Sequence, residues 1–383
     1  MGSAGVVRET KLAAAAELSL ADSDLVIFVL NVGDGDAIVI RFPRTDLGQT
    51  CAVVDSFSGA KTVGLLQALG ADRLRFVCAT HPHWDHISGL RRVLTTYETR
   101  VDEFWDSGFR YTSTTYRGLM EEVERQARLG PPLRMLRPTS GFEAFHAGAL
   151  LSVLSPSISL RNRYDTYGVD VNNASIVIRI TYPVPPAALQ YPSTGDGPPT
   201  AGPASRVAIL GGDAQTDAWS AVLAEFPHLA PDPRNWARAI GAKTGRSPLR
   251  CDFFKVAHHG SKRGINLELL ERLGDRSTGG PSLGPALLAV SCATDKGSVH
   301  GFPHLVTQGL MREVRRPEAK SGKAHGLDDE LGIHYTSQLI DPGTTPAGSI
   351  AYVMRADGSA DLFRLGDAEK SAVSLLRARQ AAG

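Results

Sequence analysis

Cysteine is scarce in this sequence, which bears on both disulfides and cysteine-based metal sites. Its four cysteines are scattered along 383 residues and none forms a CxxC pair, so a zinc ribbon is disfavoured. Cys51, Cys78 and Cys292 stand in apolar, strand-like runs, whereas Cys251 opens a further such run. These surroundings predict buried free thiols in a reducing compartment.

An excess of charge of either sign is also missing. The formal net charge is +1, without the basic excess that marks dedicated nucleic-acid binders. A nucleic-acid substrate is still compatible with this balance. Any attraction to phosphates would then have to be local or come from metal ions.

Long apolar runs are absent as well. No run approaches the roughly 18 residues of a membrane span, although 42% of the residues are hydrophobic and a large core can be buried. Residues 1–24 are interrupted by charged side chains and lack the basic start and apolar centre of a signal peptide. We therefore expect a soluble, cytoplasmic protein without membrane insertion.

Apolar, β-branched segments alternate with segments of helical periodicity. Residues 25–42 contain "GDGD" between two such runs, which predicts two strands joined by a tight turn. Residues 51–57 and 74–80 read as strands, whereas 61–72 and 88–98 have helical spacing. This rhythm predicts a layered α/β fold.

Three of the 11 histidines fall in "HPHWDH", immediately after the strand at 74–80. In an extended loop the alternating residues His81 and His83 can point the same way. Asp85 and His86 can then face a second position nearby. Zinc prefers such nitrogen and oxygen ligands at about 2.0–2.2 Å, so this loop predicts ligands for two adjacent metal ions. The competing interpretation is a solvated loop.

Other polar residues also follow predicted strands. Asp55 ends one strand, Asp213 follows "LGG", and His258 and His259 follow "FFKVA". Because carboxyl ends of strands in layered α/β folds meet in one crevice, these residues converge on the histidine loop. Asp213 has two oxygens with which to bridge two metals, and either histidine of the pair can complete the second site. Asp55 is expected to support the loop by hydrogen bonds.

These motifs resemble those of the metallo-β-lactamase superfamily. "NVGDGDAIVIRF", "THPHWDHISGL", "NNASIVIRI", "AILGGDA" and "KVAHHGS" further resemble the soluble hydrolase domain of the ComEC competence proteins, across most of residues 25–305. The resemblance implies a four-layer αββα sandwich with a metal site at one edge. It also implies a hydrolase, and for this branch a phosphodiesterase or nuclease. ComEC has membrane-spanning segments, whereas this chain has none, so a role as a DNA-uptake pore is not carried over.

The sequence also predicts how the chain is divided. Residues 24–366 are expected to form one hydrolase domain, preceded by a flexible extension at 1–23 and followed by a helix or tail at 367–383. Irregular, proline- and glycine-rich or polar sequence predicts insertions near 183–205, 227–249 and 312–334.

One departure from the superfamily affects the first site. Many members have a histidine between the cluster and the bridging aspartate, whereas this chain has "NN" at 172–173. The first site, with His81, His83 and Asp213, therefore lacks a ligand. The second site is expected to be complete. Its predicted ligands are Asp85, His86, Asp213 and His258. We expect one tightly held ion and a second recruited with substrate, with Zn²⁺ as the cofactor and Mn²⁺ as an alternative.

Further residues are expected at the rim of this site. The family has a histidine–proline pair where this chain has Phe302, flanked by His300 and His304. We predict that His304 protonates the leaving oxygen. Lys262, with Lys255 and Arg263, forms a candidate positive patch. Asp85, Asp213 and His304 are the predicted catalytic residues. Residues expected to support the metals or contact substrate are Asp36, Asp55, Asn173, His259, Ser261 and Lys262.

Three functions are compatible with the sequence. The leading hypothesis is a metal-dependent phosphodiesterase or nuclease in which a metal-bound hydroxide attacks the phosphodiester. The second is hydrolysis of a lactone, thioester or β-lactam, which the same fold supports. The third is a catalytically inactive, metal-stabilised binding or regulatory module.

Overall fold

The fold is taken from a computed structural model. It describes residues 8–9, 18, 20–129, 133–164, 169–184, 205–225, 249–274, 285, 287–293, 298–315, 328–337 and 348–365. The insertions predicted near 183–205 and 227–249 lie almost wholly outside the described residues, as do the tail at 367–383 and most of the N-terminal extension. Within the extension, residues 8–9 form a short strand.

The first sheet contains both ends of the described fold and the strands that precede the histidine loop. Its strands are β1 (Arg8–Glu9), β2 (Leu25–Val29), β3 (Ala37–Arg41), β4 (Thr50–Ser56), β5 (Arg73–Ala79), β6 (Val101–Asp106), β7 (Arg134–Leu136), β15 (Ile350–Met354) and β16 (Ala360–Arg364). Their order is β1-β16-β15-β2-β3-β4-β5-β6-β7. β2, β3 and β4 are antiparallel, whereas β4 through β7 run parallel.

The second sheet supplies the remaining strand ends of the site. Its strands are β8 (Glu143–His146), β9 (Ala149–Ser155), β10 (Val177–Tyr182), β11 (Arg206–Leu210), β12 (Phe253–Lys255), β13 (Leu287–Val290) and β14 (Ile333–Tyr335). Their order is β14-β13-β12-β11-β10-β9-β8. β11 through β14 run parallel, so their carboxyl ends lie along the same edge.

Helices cover the outer face of each sheet. They are α1 (Gly59–Ala68), α2 (Trp84–Ile87), α3 (Leu90–Thr96), α4 (Thr114–Ala127), α5 (Ile158–Arg161), α6 (Thr216–Glu225), α7 (Leu267–Leu273) and α8 (Leu305–Arg315). Buried side chains of α1, α3 and α4 pack on the first sheet, and those of α6, α7 and α8 pack on the second. Among the described residues, no helix has the length and apolar character needed to cross a membrane.

The two sheets pack face to face over a shared core. Along β2, Leu25, Ile27 and Val29 face this core, whereas Val26 and Phe28 face the helices of the first sheet. Both faces of such a strand are buried, which explains its unbroken apolar sequence. Helix, sheet, sheet and helix layers thus follow one another, and the predicted αββα sandwich is confirmed.

Stacked aromatic rings tie the core together. Phe253 of β12 stacks on Tyr352 of β15 across the two sheets, with ring centroids 4.7 Å apart. Phe76 and Trp105, on neighbouring strands of the first sheet, stack with centroids 4.1 Å apart. Such pairs add about 0.5–1.5 kcal/mol beyond their buried area.

The stretch predicted as an insertion near 312–334 contains regular structure where it is described. Residues 312–315 complete α8, whose Met311 and Val314 are buried, and β14 pairs with β13. Residues 316–327 lie outside the described residues.

Candidate metal centre

The candidate metal centre lies where the carboxyl ends of strands from both sheets meet. β5 leads directly into His81 and His83, and the short helix α2 carries Asp85 and His86. β11 leads into Asp213 from the second sheet.

A tight turn presents Asp213. Gly212 has φ +52°, and a Cβ there would lie 3.1 Å from Ser175 Cβ. The Asp213 backbone N–H donates to Ser175 Oγ at 3.1 Å. The left-handed backbone and the close approach both favour glycine at 212, and they turn the Asp213 carboxylate into the crevice.

The first metal group consists of His81, His83 and Asp213, whose ligand atoms lie within 4.8 Å of one another. His81 Nε2 lies 3.1 Å from His83 Nδ1 and 3.8 Å from Asp213 Oδ2. His81 is fully buried, and His83 is partly exposed. Burial lowers the pKa of both rings, and the charge of His86 lowers that of His81 further. Neutral rings are the form that binds metal ions.

The second metal group consists of Asp85, His86, Asp213 and His259, again with ligand atoms within 4.8 Å of one another. Asp213 Oδ1 lies 3.2 Å from His86 Nε2 and 3.5 Å from His259 Nε2. Asp85 Oδ2 lies 3.5 Å from His259 Nε2 and 3.8 Å from His86 Nε2. Asp213 therefore offers one oxygen to each group.

The backbone places His259, rather than the neighbouring His258, in the second metal group. Both residues have left-handed conformations, with φ 52° and 51°. Two successive non-glycine residues in this region are uncommon, and each costs of order 1–3 kcal/mol. They turn His259 inward, where it is buried. The sequence had favoured His258 for this group, but its Nε2 lies 3.8 Å from Asp213 Oδ2, on the side of the first group.

Asp55 supports the centre from behind His86. It is fully buried, and its carboxylate accepts hydrogen bonds from Thr80 N at 2.8 Å and Thr80 Oγ1 at 2.6 Å. Its Oδ2 also lies 2.7 Å from His86 Nδ1. This contact keeps the proton of His86 on Nδ1 and turns Nε2 toward Asp213.

Burial and neighbouring charges act in opposite directions on the ionisable groups of the second metal group. Burial opposes the charged form of every member. Even so, Asp213 and Asp55 together raise the pKa of His86 well above its ordinary value. Burial likewise opposes ionisation of Asp213, yet His86 and His259 hold the pKa of that carboxyl well below its usual range. The charged forms of the buried carboxylates and of the neighbouring rings therefore stabilise each other.

Three buried atoms at this point have no hydrogen-bond partner among the described residues. They are His86 Nε2, Asp213 Oδ1 and His259 Nε2. A buried polar atom without a partner costs about 1–3 kcal/mol, and here three converge on one position. Two imidazole nitrogens and a carboxylate oxygen are the donors that a divalent cation such as Zn²⁺ binds. The residues present therefore fit a metal ion.

The remaining predicted residues lie around this centre. Asn173 Oδ1 accepts from the backbone N–H groups of Gln215 and Ala218, both at 3.2 Å, and so holds the start of α6 behind Asp213. The His304 backbone N–H donates to Gly260 O at 2.9 Å. Ser261 is buried, whereas Lys262 is exposed. His304, Ser261 and Lys262 belong to neither metal group.

Sequence reasoning missed two residues behind His259. Lys255 was expected on an exposed positive patch, but it is fully buried and donates to Asp36 Oδ2 at 2.5 Å. Ser291, which follows β13, lies against His259 Nδ1, with its Oγ at 3.1 Å. The position of Lys255 within an apolar strand was the available signal for its burial. Ser291 carries no motif of its own.

Comparison with known proteins gives several distant likenesses. No curated protein matches the chain. CmlA, a diiron beta-hydroxylase from Streptomyces venezuelae, aligns at 11% identity with a TM-score of 0.39 over 88% of this chain, which spans 55% of CmlA. The metallo-beta-lactamase fold protein YhfI from Bacillus subtilis aligns at 10% identity and a TM-score of 0.38, over 86% of this chain and 98% of YhfI. A long form RNase Z from yeast aligns at 10% identity and a TM-score of 0.32, over 72% of this chain and 38% of that protein.

The sequence itself matches a family model, described as the metallo-beta-lactamase superfamily, over residues 30–148. That stretch runs from the end of β2 to the start of β9 and contains the whole histidine loop. Residues 30–148 of the chain are therefore similar to a metallo-β-lactamase superfamily domain.

Proposed function

We propose that this protein is a metal-dependent hydrolase that cleaves phosphodiesters. The observation that carries the proposal is the convergence of His86 Nε2, Asp213 Oδ1 and His259 Nε2, three buried atoms without partners among the described residues. The proposed cofactor is Zn²⁺, with Mn²⁺ as the alternative, in one or two ions. The proposed ligands are the members of the first and second metal groups.

Asp213 is the central residue of the proposed reaction. Its two oxygens face the two groups, at 3.2 Å from His86 Nε2 and 3.8 Å from His81 Nε2. A bound divalent cation would act as a Lewis acid that activates water near neutral pH and stabilises developing negative charge. Asp85 and Asp213 hold this centre in place and orient the attacking water by accepting its hydrogen bonds.

His304 is the proposed proton donor to the leaving oxygen. Val306 N donates to its Nδ1 at 3.3 Å and so orients the ring, which leaves Nε2 as the nitrogen that would pass a proton to the leaving oxygen. The contact of its backbone N–H with Gly260 O keeps it next to the histidine pair. A donor held in this way typically contributes about 10²–10⁴-fold to the rate.

Side chains beside the metal groups favour a phosphodiester that carries a base. The Tyr111 ring lies 5.7 Å from the His83 ring, and the Phe302 ring lies 5.3 Å from the His258 ring. An exposed cation lies near each of these aromatic rings in the sequence or at the site. Arg110 precedes Tyr111, and Lys262 follows the histidine pair that Phe302 contacts. Aromatic rings interleaved with cations are typical of surfaces that stack bases and bind phosphates.

A panel of chromogenic substrates tests this proposal. The panel comprises bis(p-nitrophenyl) phosphate, thymidine 5′-(p-nitrophenyl) phosphate, p-nitrophenyl acetate, a thioester and a chromogenic β-lactam, each with added Zn²⁺ or Mn²⁺. We expect turnover of the two phosphodiesters, faster for the thymidine ester. Cleavage of a single-stranded oligonucleotide should weaken steeply with salt, because phosphate contacts release counterions.

Other outcomes would redirect the assignment. Turnover of the ester, thioester or β-lactam alone, independent of salt, would replace phosphodiesters by carbonyl substrates. Bound metal without turnover of any substrate would favour an inactive binding or regulatory module.

A further inference from the structure

A buried ion pair lies directly behind the second metal group. Lys255 of β12 and Asp36, which precedes β3, are both fully buried although they belong to opposite sheets. Lys255 Nζ donates to Asp36 Oδ2 at 2.5 Å, and Ser291 Oγ donates to Asp36 Oδ1. Both oxygens of the Asp36 carboxylate are therefore occupied.

Ser291 links the Asp36 carboxylate to His259 through a second hydrogen bond. Since its hydroxyl hydrogen is committed to Asp36, its oxygen is left to accept from His259 Nδ1 at 3.1 Å. The backbone oxygen of Ser291 lies 3.2 Å from the same nitrogen. Two acceptors at Nδ1 place the ring proton there. Nε2 then keeps its lone pair, and it faces Asp85 and Asp213 at 3.5 Å each.

The backbone of Asp36 also contacts the histidine loop and the residue that follows β4. Its backbone N–H donates to Asp85 O at 3.2 Å, and its backbone oxygen accepts from Phe57 N at 2.8 Å. Gly35 allows this approach, because a Cβ there would lie 2.7 Å from Asp85 O. Asp36 thus contacts the segment that carries Asp85 directly, and it is linked to His259 through Ser291.

A buried ion pair of this kind is expected to add little net stability to the fold. Burying two charges costs several kcal/mol per ion, and apolar residues of similar volume often stabilise a fold as well or better. A role in placing a functional side chain accounts for both the burial and the chain of contacts to His259.

We propose that Lys255, Asp36 and Ser291 form a positioning network that fixes the tautomer and place of His259, and so sets the affinity of the second metal group. The inference rests on the metal centre of the proposed function, but not on its substrate. The first group lies apart from this network, since the side-chain hydrogen bonds that His81 makes within the described part of the chain go to His83 and Thr80. The effect should therefore be selective for one of two metal positions.

Ser291→Ala tests the network by removing the acceptor hydroxyl. Stepwise Zn²⁺ affinities, measured by competition with a chromophoric chelator, should show one position weakened about 10–100-fold, as outer contacts to ligands typically do. The other position should be unchanged. Ser291→Thr keeps the hydroxyl and should restore the wild-type value. Ser337→Ala is the matched control, because Ser337 is also a buried hydroxyl near these strand ends, but it donates to Ala293 O rather than to a member of either metal group.

Asp36→Asn tests the tautomer directly. An asparagine amide directed at Ser291 Oγ would donate to it, which frees the serine hydroxyl to donate to His259 Nδ1. We expect the imidazole ¹⁵N resonances of metal-free His259 to shift toward the Nε2-protonated tautomer, and they should not shift in the Ser337 control. A residue that merely supports the fold would not reverse a tautomer.

Three results would overturn the network. They are equal affinities for Ser291→Ala and Ser337→Ala, equal losses at both metal positions, and an unchanged tautomer in Asp36→Asn. No measurement uses a substrate, so a protein that binds metal but cleaves no phosphodiester would sink the proposed function and leave this inference standing.

Discussion

Asp55 Oδ2 lies 2.7 Å from His86 Nδ1, and the same carboxylate accepts both the N–H and the hydroxyl of Thr80. One buried side chain at the end of β4 thereby fixes the ring of a candidate ligand and the residue that leads into the histidine loop. Asp36 stands in the same relation to His259 through Ser291. Each histidine of the second metal group thus has its own buried carboxylate.

Replacing Asp55 by asparagine should weaken metal binding without unfolding the protein. The asparagine side chain would keep the volume and tolerate the left-handed φ of 57°, but its amide cannot accept from both Thr80 and His86. We expect the affinity for Zn²⁺ to fall about 10–100-fold, measured by chelator competition. Asp46→Asn, at an exposed position, should match wild type. Equal affinities for the two variants would contradict the role given to Asp55.

Metal binding should raise the melting temperature. A ligand that binds only the folded state at about 1,000 times its Kd stabilises it by about 4 kcal/mol, and here it would also satisfy the three buried atoms that lack partners among the described residues. Thermal unfolding of chelator-treated protein should shift upward by several degrees on addition of Zn²⁺. Asp213→Asn should show little of this shift. A full shift in that variant would place the metal elsewhere.

Gly260 should be intolerant of a side chain. It has φ +79°, and a Cβ would lie 2.7 Å from Pro303 Cβ. Gly260→Ala should displace the histidine pair, weaken metal binding and cost about 1–3 kcal/mol from overpacking, in addition to the cost of its backbone conformation. Gly301→Ala isolates the backbone cost, since Gly301 has φ +69° but an added methyl group would meet no atom of the described residues within 4 Å. Gly260→Ala should therefore lose more free energy of unfolding in urea than Gly301→Ala, and it should bind metal more weakly.

The four thiols should be inert in the folded protein. None of them forms a disulfide within the described part of the chain and all are buried, as the sequence predicted, and burial raises the pKa of Cys51 to about 12. A thiol reacts as its thiolate, so Ellman's reagent in mildly alkaline buffer should detect almost no thiol in native protein and all four in denaturant. Rapid reaction of a native thiol would contradict the packing of β4 or β5, or of the segments next to β12 and β13 that carry Cys251 and Cys292.

The fold was predictable because its signals are local. Strands β2 through β5 show as apolar runs in the sequence, and the histidine loop follows one of them without a gap. Asp55 and Asp213 could be predicted to lie near this loop because each stands at the end of a predicted strand, and the carboxyl ends of parallel strands lie at the same edge of a sheet. β6 was not predicted, because "VDEFWD" mixes charged residues with apolar ones.

Long-range placement was not predictable in the same way. Lys255 looks like part of a basic patch with Lys262, but β12 lies between β11 and β13 and buries it. Its partner Asp36 is 219 residues away along the chain. The choice between His258 and His259 depends on two successive left-handed residues, a conformation that is uncommon even though histidine adopts it more often than most residues.

Asp213 and the histidines of the two metal groups are proposed to hold a catalytic metal ion. The most direct test is metal content by mass spectrometry, beside turnover of bis(p-nitrophenyl) phosphate, for wild type, Asp213→Asn and the exposed control Asp217→Asn. Wild type and the control should retain one or two ions per chain and metal-dependent turnover. Asp213→Asn should stay folded, lose metal, and lose at least about 10²–10³-fold in kcat, the loss typical of removing one charge-stabilising group. Wild type that binds no metal after reconstitution, or Asp213→Asn that keeps both metal and turnover, would contradict the account.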